Sequence, residues 1–192
     1  MSESPPEPPT DVRPHPADVP DGPASVVADA DRQTRPNGGP EKELLEAFLD
    51  YQRDTLLWKV SGLTDAQLTQ EKTPSGTTLL GLVKHMAYVE RNWFQIRFMG
   101  RPLSVPWRTD DPDADFRIDP HETGAGIIAF YRAEIAESKR IVAEASSTDV
   151  LAISPERPHT LRRILVHMIE ETARHNGHAD ILRELTDGQT GE

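Results

Sequence analysis

The hydrophobic positions of the chain fall into four long segments in which apolar residues recur every three or four positions. This spacing returns to one face of an α-helix, so each segment predicts an amphipathic helix. The predicted helices cover residues 41–60, 78–99, 120–146 and 160–187. No segment alternates apolar and polar residues as a half-buried strand would. The pattern therefore predicts an all-α fold, a four-helix bundle.

Short polar motifs mark where the predicted helices begin. Thr64-Asp-Ala-Gln67 matches a capping box, which predicts a short helical turn after the first helix. Asp119 followed by Pro120 is typical of a helix start and sets the beginning of the third helix. Between the second and third helices, residues 101–119 form a long predicted loop. Loops of this length inside compact domains are often functional.

The first forty residues differ in composition from the rest of the chain. They hold ten of the seventeen prolines and almost no large apolar side chains. Such a segment buries too little apolar surface to offset its chain entropy. We therefore expect residues 1–40 to be a disordered N-terminal tail and residues 41–188 to form one bundle domain.

Composition narrows the classes of function. The absence of cysteine excludes disulfides, a thiolate nucleophile and a zinc finger, and it is compatible with a reducing cytoplasm. A net charge of −11 with scattered arginines argues against nucleic-acid binding. No apolar stretch is long enough to span a membrane, and the N-terminus lacks the features of a secretory signal. We expect a cytoplasmic protein that binds neither nucleic acid nor membrane. An exposed apolar stripe on helix one or helix three would permit a homodimer.

The most specific chemical signal lies in the last predicted helix. Glu171 and His175 are four residues apart, so they lie on one face, one turn from each other. His85 lies on the predicted inner face of the second helix. The residues that mark the inner face of the last helix are Leu161, Ile164, Met168, Thr172, Ala179, Leu182 and Leu185. A carboxylate and imidazoles on inward faces need a partner, and a divalent metal ion supplies one.

This donor set suits several metals. Two imidazole nitrogens and one carboxylate are compatible with zinc, nickel, iron or manganese, and three protein ligands leave a coordination position open. Zinc is our first expectation, although the residues do not choose among the four ions. The competing interpretation is structural, since a buried histidine is often a hydrogen-bonded core residue and a Glu/His pair often lies on a solvated face. Spacing and chemistry alone leave both interpretations open.

Two motifs carry a resemblance to a known superfamily. Leu79-Leu-Gly-Leu-Val-Lys-His85-Met-Ala-Tyr-Val-Glu90 resembles the second helix of DinB/YfiT-like proteins, and in particular an uncharacterised actinobacterial-type branch. Residues 167–180 resemble their last helix. A three-histidine site is common in that superfamily. The glutamate at 171 departs from it and is similar to the His, Glu and His set of mycothiol-dependent maleylpyruvate isomerases. The resemblance therefore implies His85, Glu171 and His175 as ligands of one divalent metal ion.

The same resemblance implies thiol chemistry. Relatives include isomerases and S-transferases that use a low-molecular-weight thiol such as mycothiol or bacillithiol. Metal coordination favours the thiolate, which is the nucleophilic form of a thiol. We therefore expect a metal-dependent thiol S-transferase or a related isomerase that acts on a small electrophile and serves detoxification. Two alternatives stay open: a non-catalytic metal-binding or stress-response bundle, and a metal-dependent hydrolase.

Five further residues are candidates for supporting roles. His167 and His178 lie one turn to either side of the Glu/His pair, so His167 could orient a ligand and His178 could accept a proton as a catalytic base. Arg174 and Arg91 are weaker candidates for binding a substrate carboxylate, and Trp107 for lining the mouth of the site. For all five, an ordinary core or surface contact is the competing interpretation.

Overall fold

A computed structural model describes residues 32–153 and 158–191. In these ranges the regular secondary structure consists of helices, which are joined by loops. The helices are α1 Glu41–Val60, α2 Asp65–Leu68, α3 Leu79–Glu90, α4 Gly124–Glu144 and α5 Leu161–Asp187. Helix α3 continues directly as a π-helical segment, Arg91–Phe98, and a 3₁₀ turn, Ala114–Phe116, interrupts the loop that follows. Isolated β-bridges occur in the described ranges, but no strand does. The predicted all-α bundle is confirmed.

The third predicted helix begins later than expected. Helix α4 begins at Gly124, where the Thr123 side chain accepts from a backbone N–H of the first turn, and not at residue 120. The preceding residues form a turn in which the Glu122 N–H donates to the Asp119 carbonyl at 2.9 Å. Glu122 is held in this turn because its carboxylate accepts from the buried Lys84 ammonium at 2.7 Å. A long-range ion pair has therefore overridden a local start signal.

The predicted disordered tail falls largely outside the described residues, which begin at Arg32. Residues 32–40 contain no helix or strand and lie against α1. The Arg32 guanidinium is 4.6 Å from the centre of the Trp58 ring. The Gln33 N–H donates to the Asp54 carboxylate at 3.0 Å. This short stretch is therefore packed on the first helix.

One continuous core joins the helices. Helix α1 packs against α5, and α3 packs against α4 and α5. The largest fully buried side chains are Tyr131, Phe94, Phe130, Leu49, Leu56, Leu79, Leu80, Leu82, Met86, Ile127, Ile141 and Leu161. One residue predicted for the inner face of α5 lies outside this core, since Leu185 is 55% exposed. The helical repeat brings the half-buried Thr186 onto that face instead.

Large apolar side chains are exposed on one part of the bundle surface. The large exposed apolar side chains in the described residues are Leu151, Ile153, Val166, Ile181 and Leu185. They lie on α5 and in the segment before it, whereas a stripe on helix one or helix three was the condition under which sequence analysis would permit a homodimer. A homodimer stays a prediction. In the part of the chain that the structure describes, no helix combines the length and the apolarity needed to cross a bilayer.

Buried ion pairs fasten α3 and its π-helical extension to the neighbouring helices. Glu90 accepts two hydrogen bonds of 2.7 Å from Arg53 of α1. Arg91 donates to Glu134 of α4 at 2.8 Å, and Gln95 donates to the same carboxylate. All five side chains are buried. These contacts hold in place the helix that carries the candidate histidine.

Candidate metal centre

Helices α3 and α5 bring the three predicted ligands together. His85 lies in the second turn of α3, whereas Glu171 and His175 lie one turn apart on α5. Their ligand atoms all lie within 4.8 Å of one another. Glu171 Oε1 is 3.9 Å from His85 Nε2 and 3.4 Å from His175 Nε2. The structure therefore places one carboxylate and two imidazoles around a common point.

His85 is oriented by a carboxylate that the sequence did not reveal. Its Nδ1 lies 2.6 Å from Oδ2 of Asp115, whose side chain is only 1% exposed. The other ring nitrogen, Nε2, is buried and has no hydrogen-bond partner. A neutral ring that donates from Nδ1 to Asp115 keeps a lone pair on Nε2, the nitrogen nearest Glu171. Histidine ligands of metals usually have such a carboxylate or carbonyl behind them.

The 3₁₀ turn that carries Asp115 reaches His85 because Gly81 leaves room for it. A Cβ atom at position 81 would lie 2.5 Å from the backbone carbonyl oxygen of Phe116, which is closer than real Cβ contacts allow. The Phe116 ring then stacks on the His85 imidazole with 4.2 Å between the ring centres. One glycine on α3 thus admits both the orienting carboxylate and an aromatic ring beside the cluster.

His175 is held in its neutral form. Burial is the main cause that lowers the pKa of His175 to about 4, and Glu171 opposes this shift. A histidine with so low a pKa is unprotonated near pH 7, so its ring nitrogens keep a lone pair for a metal. The His175 imidazole, the Nε2 lone pair of a His85 ring that donates from Nδ1, and the Glu171 carboxylate therefore form a donor set suited to a divalent ion, with a coordination position left for a further ligand.

Nothing in the sequence distinguishes Asp115 from the acids around it. It lies in a run that also contains Asp110, Asp111 and Asp113, and Arg108 and Arg117 form ion pairs with two of those acids at the surface. Only the close approach of the 3₁₀ turn to α3 selects position 115. A glycine one turn before a candidate ligand is a weak signal that some backbone approaches the helix there.

Two of the weaker candidates lie next to the cluster. The Trp107 ring centre is 6.4 Å from that of His85, so this half-buried side chain lies beside one of the candidate metal ligands. His178 is exposed, and its Nδ1 is 3.4 Å from Nδ1 of His175. Its contact is thus with the ring nitrogen of His175 that faces away from Glu171.

The other three weaker candidates have different surroundings. His167 packs against Trp93 with 4.4 Å between ring centres. Burial lowers its pKa, and the negative charge of Glu171 opposes that shift. Arg91 is buried in the ion pair with α4. Arg174 is 59% exposed, and its Nη1 lies 3.8 Å from Oε2 of Glu171, at the rim of the cluster. Of the two arginines, only Arg174 lies where a substrate could meet it.

Comparisons with known proteins identify a family. A family model described as mycothiol-S-transferase matches residues 44–188, which is most of the chain. The resemblance to the DinB/YfiT-like superfamily is thereby confirmed. A crystal structure described as a conserved protein from Enterococcus faecalis has a TM-score of 0.57 and 18% identity, covering 79% of this chain and 100% of that one. At this identity the likeness supports the fold alone. A search of curated proteins found no significant match.

Proposed function

The chain belongs to the mycothiol S-transferase family, and we propose that it is a metal-dependent thiol S-transferase or a related isomerase. Its cosubstrate is a low-molecular-weight thiol of the mycothiol type, and its second substrate is a small electrophile. One divalent ion, in the first place zinc and otherwise nickel, iron or manganese, is held by His85, Glu171 and His175. The protein acts in the cytoplasm, in detoxification.

The observation that carries this proposal is the unsatisfied Nε2 of His85. This nitrogen is buried without a hydrogen-bond partner, while the opposite nitrogen is anchored by Asp115. An orphaned buried polar atom costs free energy, so it calls for a ligand. A metal ion supported by Glu171 and His175 satisfies it. A purely structural histidine would be expected to bond through both of its nitrogens.

The chain supplies position and orientation, and the thiol supplies the sulfur. No cysteine is present, so the nucleophile must enter with the cosubstrate. A bound divalent ion favours the thiolate form of an incoming thiol. Phe116 and Trp107 flank His85 and form an aromatic wall suited to the apolar part of an electrophile. His178 faces the far nitrogen of His175, which favours a positioning role over the direct proton transfer predicted from sequence.

The direct test is thiol-dependent turnover by zinc-loaded protein. Purified full-length chain is incubated with mycothiol and a panel of small electrophiles, including haloaromatics and epoxides, and loss of free thiol is followed. We expect turnover that requires both the metal and the thiol, and that falls at least about 100-fold in Glu171→Ala, since a direct ligand is worth more than an outer partner. Glu184→Gln, an exposed acid on the same helix, is the control.

An inactive protein would favour the alternative of a non-catalytic metal-binding bundle. In that case zinc would still bind and stabilise the fold, and Glu171→Ala would lower the thermal stability of the zinc-loaded form without any activity to lose. The absence of both turnover and zinc binding would remove the metal proposal altogether.

A further inference from the structure

The last helix has an outer face that the rest of the bundle does not cover. Helix α5 packs its inner side against α1, α3 and the π-helical extension of α3. On its outer side Val166 is 48% exposed, Ile181 59% and Leu185 55%. In the described ranges no other helix exposes a large apolar side chain. Apolar side chains exposed together on one element, rather than singly, indicate a surface that another molecule covers.

The helical repeat aligns these apolar residues with small and charged ones. Six exposed residues fall within about 60° of one another around the helix axis: Arg163, Val166, Glu170, Gly177, Ile181 and Glu184. We call these six residues the outer face of α5. A Cβ atom at Gly177 would meet nothing within 4 Å, and the neighbouring Ala173 is also small and exposed. The middle of the face is therefore low enough for another helix to approach closely.

The charges on this face are balanced, although the chain as a whole carries a net charge of −11. Near the middle, Glu170 pairs with Arg174 of the same helix at 3.5 Å. Arg163 and Glu184 lie at the two ends, about 31 Å apart along the helix. In the described ranges neither of these two forms an ion pair, whereas exposed arginines such as Arg108 do. Because two acidic molecules repel each other, a contact between copies of this chain needs a surface with balanced charge.

We propose that the outer face of α5 is the interface of a homodimer, in which the two α5 helices pack antiparallel across a two-fold axis beside Ala173. In this arrangement Arg163 lies opposite Glu184 of the partner subunit, and Val166 lies opposite the partner's Ile181. Two-fold symmetry repeats each contact, so every pair forms twice. The interface goes beyond the proposed function and does not depend on it, because all three candidate metal ligands belong to one chain.

The complementarity of this face to itself favours a second copy over an unrelated partner. Turning the helix end to end exchanges Arg163 with Glu184, so in an antiparallel pair each of these charges meets its opposite. Parallel helices would set each charge beside its like. The same register places Glu170 over the partner's Gly177, where the missing side chain leaves room for it. Exposed ion pairs contribute little affinity, so the apolar contacts supply the association and the charges fix the register.

The first test is the oligomeric state of the full-length chain, measured by light scattering after size-exclusion chromatography over a series of concentrations. We expect twice the 21.4 kDa mass of one chain for wild type and for the control Leu151→Asp, whose exposed side chain lies outside α5. Ile181→Asp places a carboxylate in the apolar contact of each subunit, so it should be a monomer. A wild-type monomer at every concentration, or a dimer that persists in Ile181→Asp, would overturn the proposal.

The second test determines the register. Arg163→Glu and Glu184→Arg each set like charges against each other at both symmetric contacts, so the dissociation constant of the dimer should rise about ten-fold at low salt. The double variant carrying both substitutions restores opposite charges and should return to within about three-fold of wild type. Far-UV circular dichroism checks that every variant keeps its helicity. Single variants that dimerise as wild type does, or a double variant weakened by the sum of both single effects, would overturn the antiparallel arrangement.

Discussion

Two sets of polar side chains lie along α3, less than two turns apart, and they are built on opposite principles. Toward the end of the helix, Glu90 and Arg91 are buried against ions of opposite sign, and the Glu90–Arg53 pair is bidentate. At the cluster, His85 Nε2 has no hydrogen-bond partner, and the nearest charged group is a carboxylate 3.9 Å away. We call the first set closed, because each buried charge is matched by an opposite charge, and the second set open, because a buried nitrogen has no hydrogen-bond partner.

This difference separates structural from functional polar groups. A buried ion pair whose partners satisfy each other has nothing left to offer a ligand, although breaking it is costly. A buried imidazole that is hydrogen-bonded through one nitrogen and has no partner at the other can offer the second nitrogen to a ligand at a fixed position. The comparison is the reason why we assign Arg91, a candidate substrate-binding residue in the sequence analysis, to the scaffold and propose His85 as part of the site.

The largest effect on stability should come from breaking the buried ion pair between Glu90 and Arg53. Glu90→Ala removes both 2.7 Å hydrogen bonds to the buried Arg53 guanidinium, which keeps only Asp50 as an acidic partner, so we expect the free energy of unfolding to fall by about 3 kcal/mol. Zinc stoichiometry per folded chain should not change. Denaturant unfolding and metal titration measure the two quantities. A loss below about 1 kcal/mol would show that the pair does not hold the helix.

A smaller effect on stability, but a complete effect on metal binding, should follow from removing a ligand. Zinc at 100 times its dissociation constant should stabilise wild-type protein by about 2.7 kcal/mol through linkage alone. In His85→Ala and in His175→Ala this zinc-dependent gain should vanish. Thermal unfolding with and without zinc checks it, with His121→Ala as the exposed control. Equal zinc-dependent shifts in wild type and both variants would disprove the open cluster.

The orienting carboxylate should matter less than the ligands. Asp115→Asn keeps the shape of the side chain but removes the charge behind His85 Nδ1, and we expect zinc affinity to fall about ten-fold. Competition with a chromophoric chelator measures this change. Asp110→Asn, an exposed acid in the same loop, should bind zinc as wild type does. If both variants matched wild type, Asp115 would have no part in orienting the ring.

The smallest effect concerns His167, a half-buried histidine that belongs to neither set. Burial lowers its folded pKa below the unfolded value of about 6.5, so the folded state resists protonation. Its contribution to stability is therefore present above about pH 6.5 and is lost as the pH falls through the folded pKa. His167→Phe should unfold with a weaker pH dependence on the acidic side than wild type. Identical pH profiles would show that His167 titrates as it does in the unfolded chain.

The repeat of apolar residues was sufficient to predict the long helices. It also placed His85, Glu171 and His175 on helix faces that meet in the structure. Helix α1 covers the predicted residues 41–60, and α5 begins one residue after its predicted start. In both, the apolar repeat and the end signals agree with each other. The predicted start of α4 at residue 120 was wrong because Glu122 pairs with Lys84, which lies 38 residues away in the sequence. No local sequence rule predicts such a pair.

The sequence did not predict the features that depend on how the helices are wound and on contacts between segments that are distant in the chain. The π-helical continuation of α3, Arg91–Phe98, is not anticipated by a periodicity analysis at 3.6 residues per turn. The contact of Asp115 with His85 depends on the space left by Gly81, and the start of α4 depends on the contact of Glu122 with Lys84. Each of these is a tertiary fact that the one-dimensional pattern does not encode.

The most direct test of the account is the position of the metal. Crystals of the full-length protein grown with zinc should show, at the zinc absorption edge, one anomalous peak per chain about 2.0–2.2 Å from His85 Nε2, His175 Nε2 and a Glu171 oxygen. The Asp115 carboxylate should remain on His85 Nδ1. A zinc ion bound elsewhere, or a cluster that stays without an ion at saturating zinc, would contradict the open-cluster account.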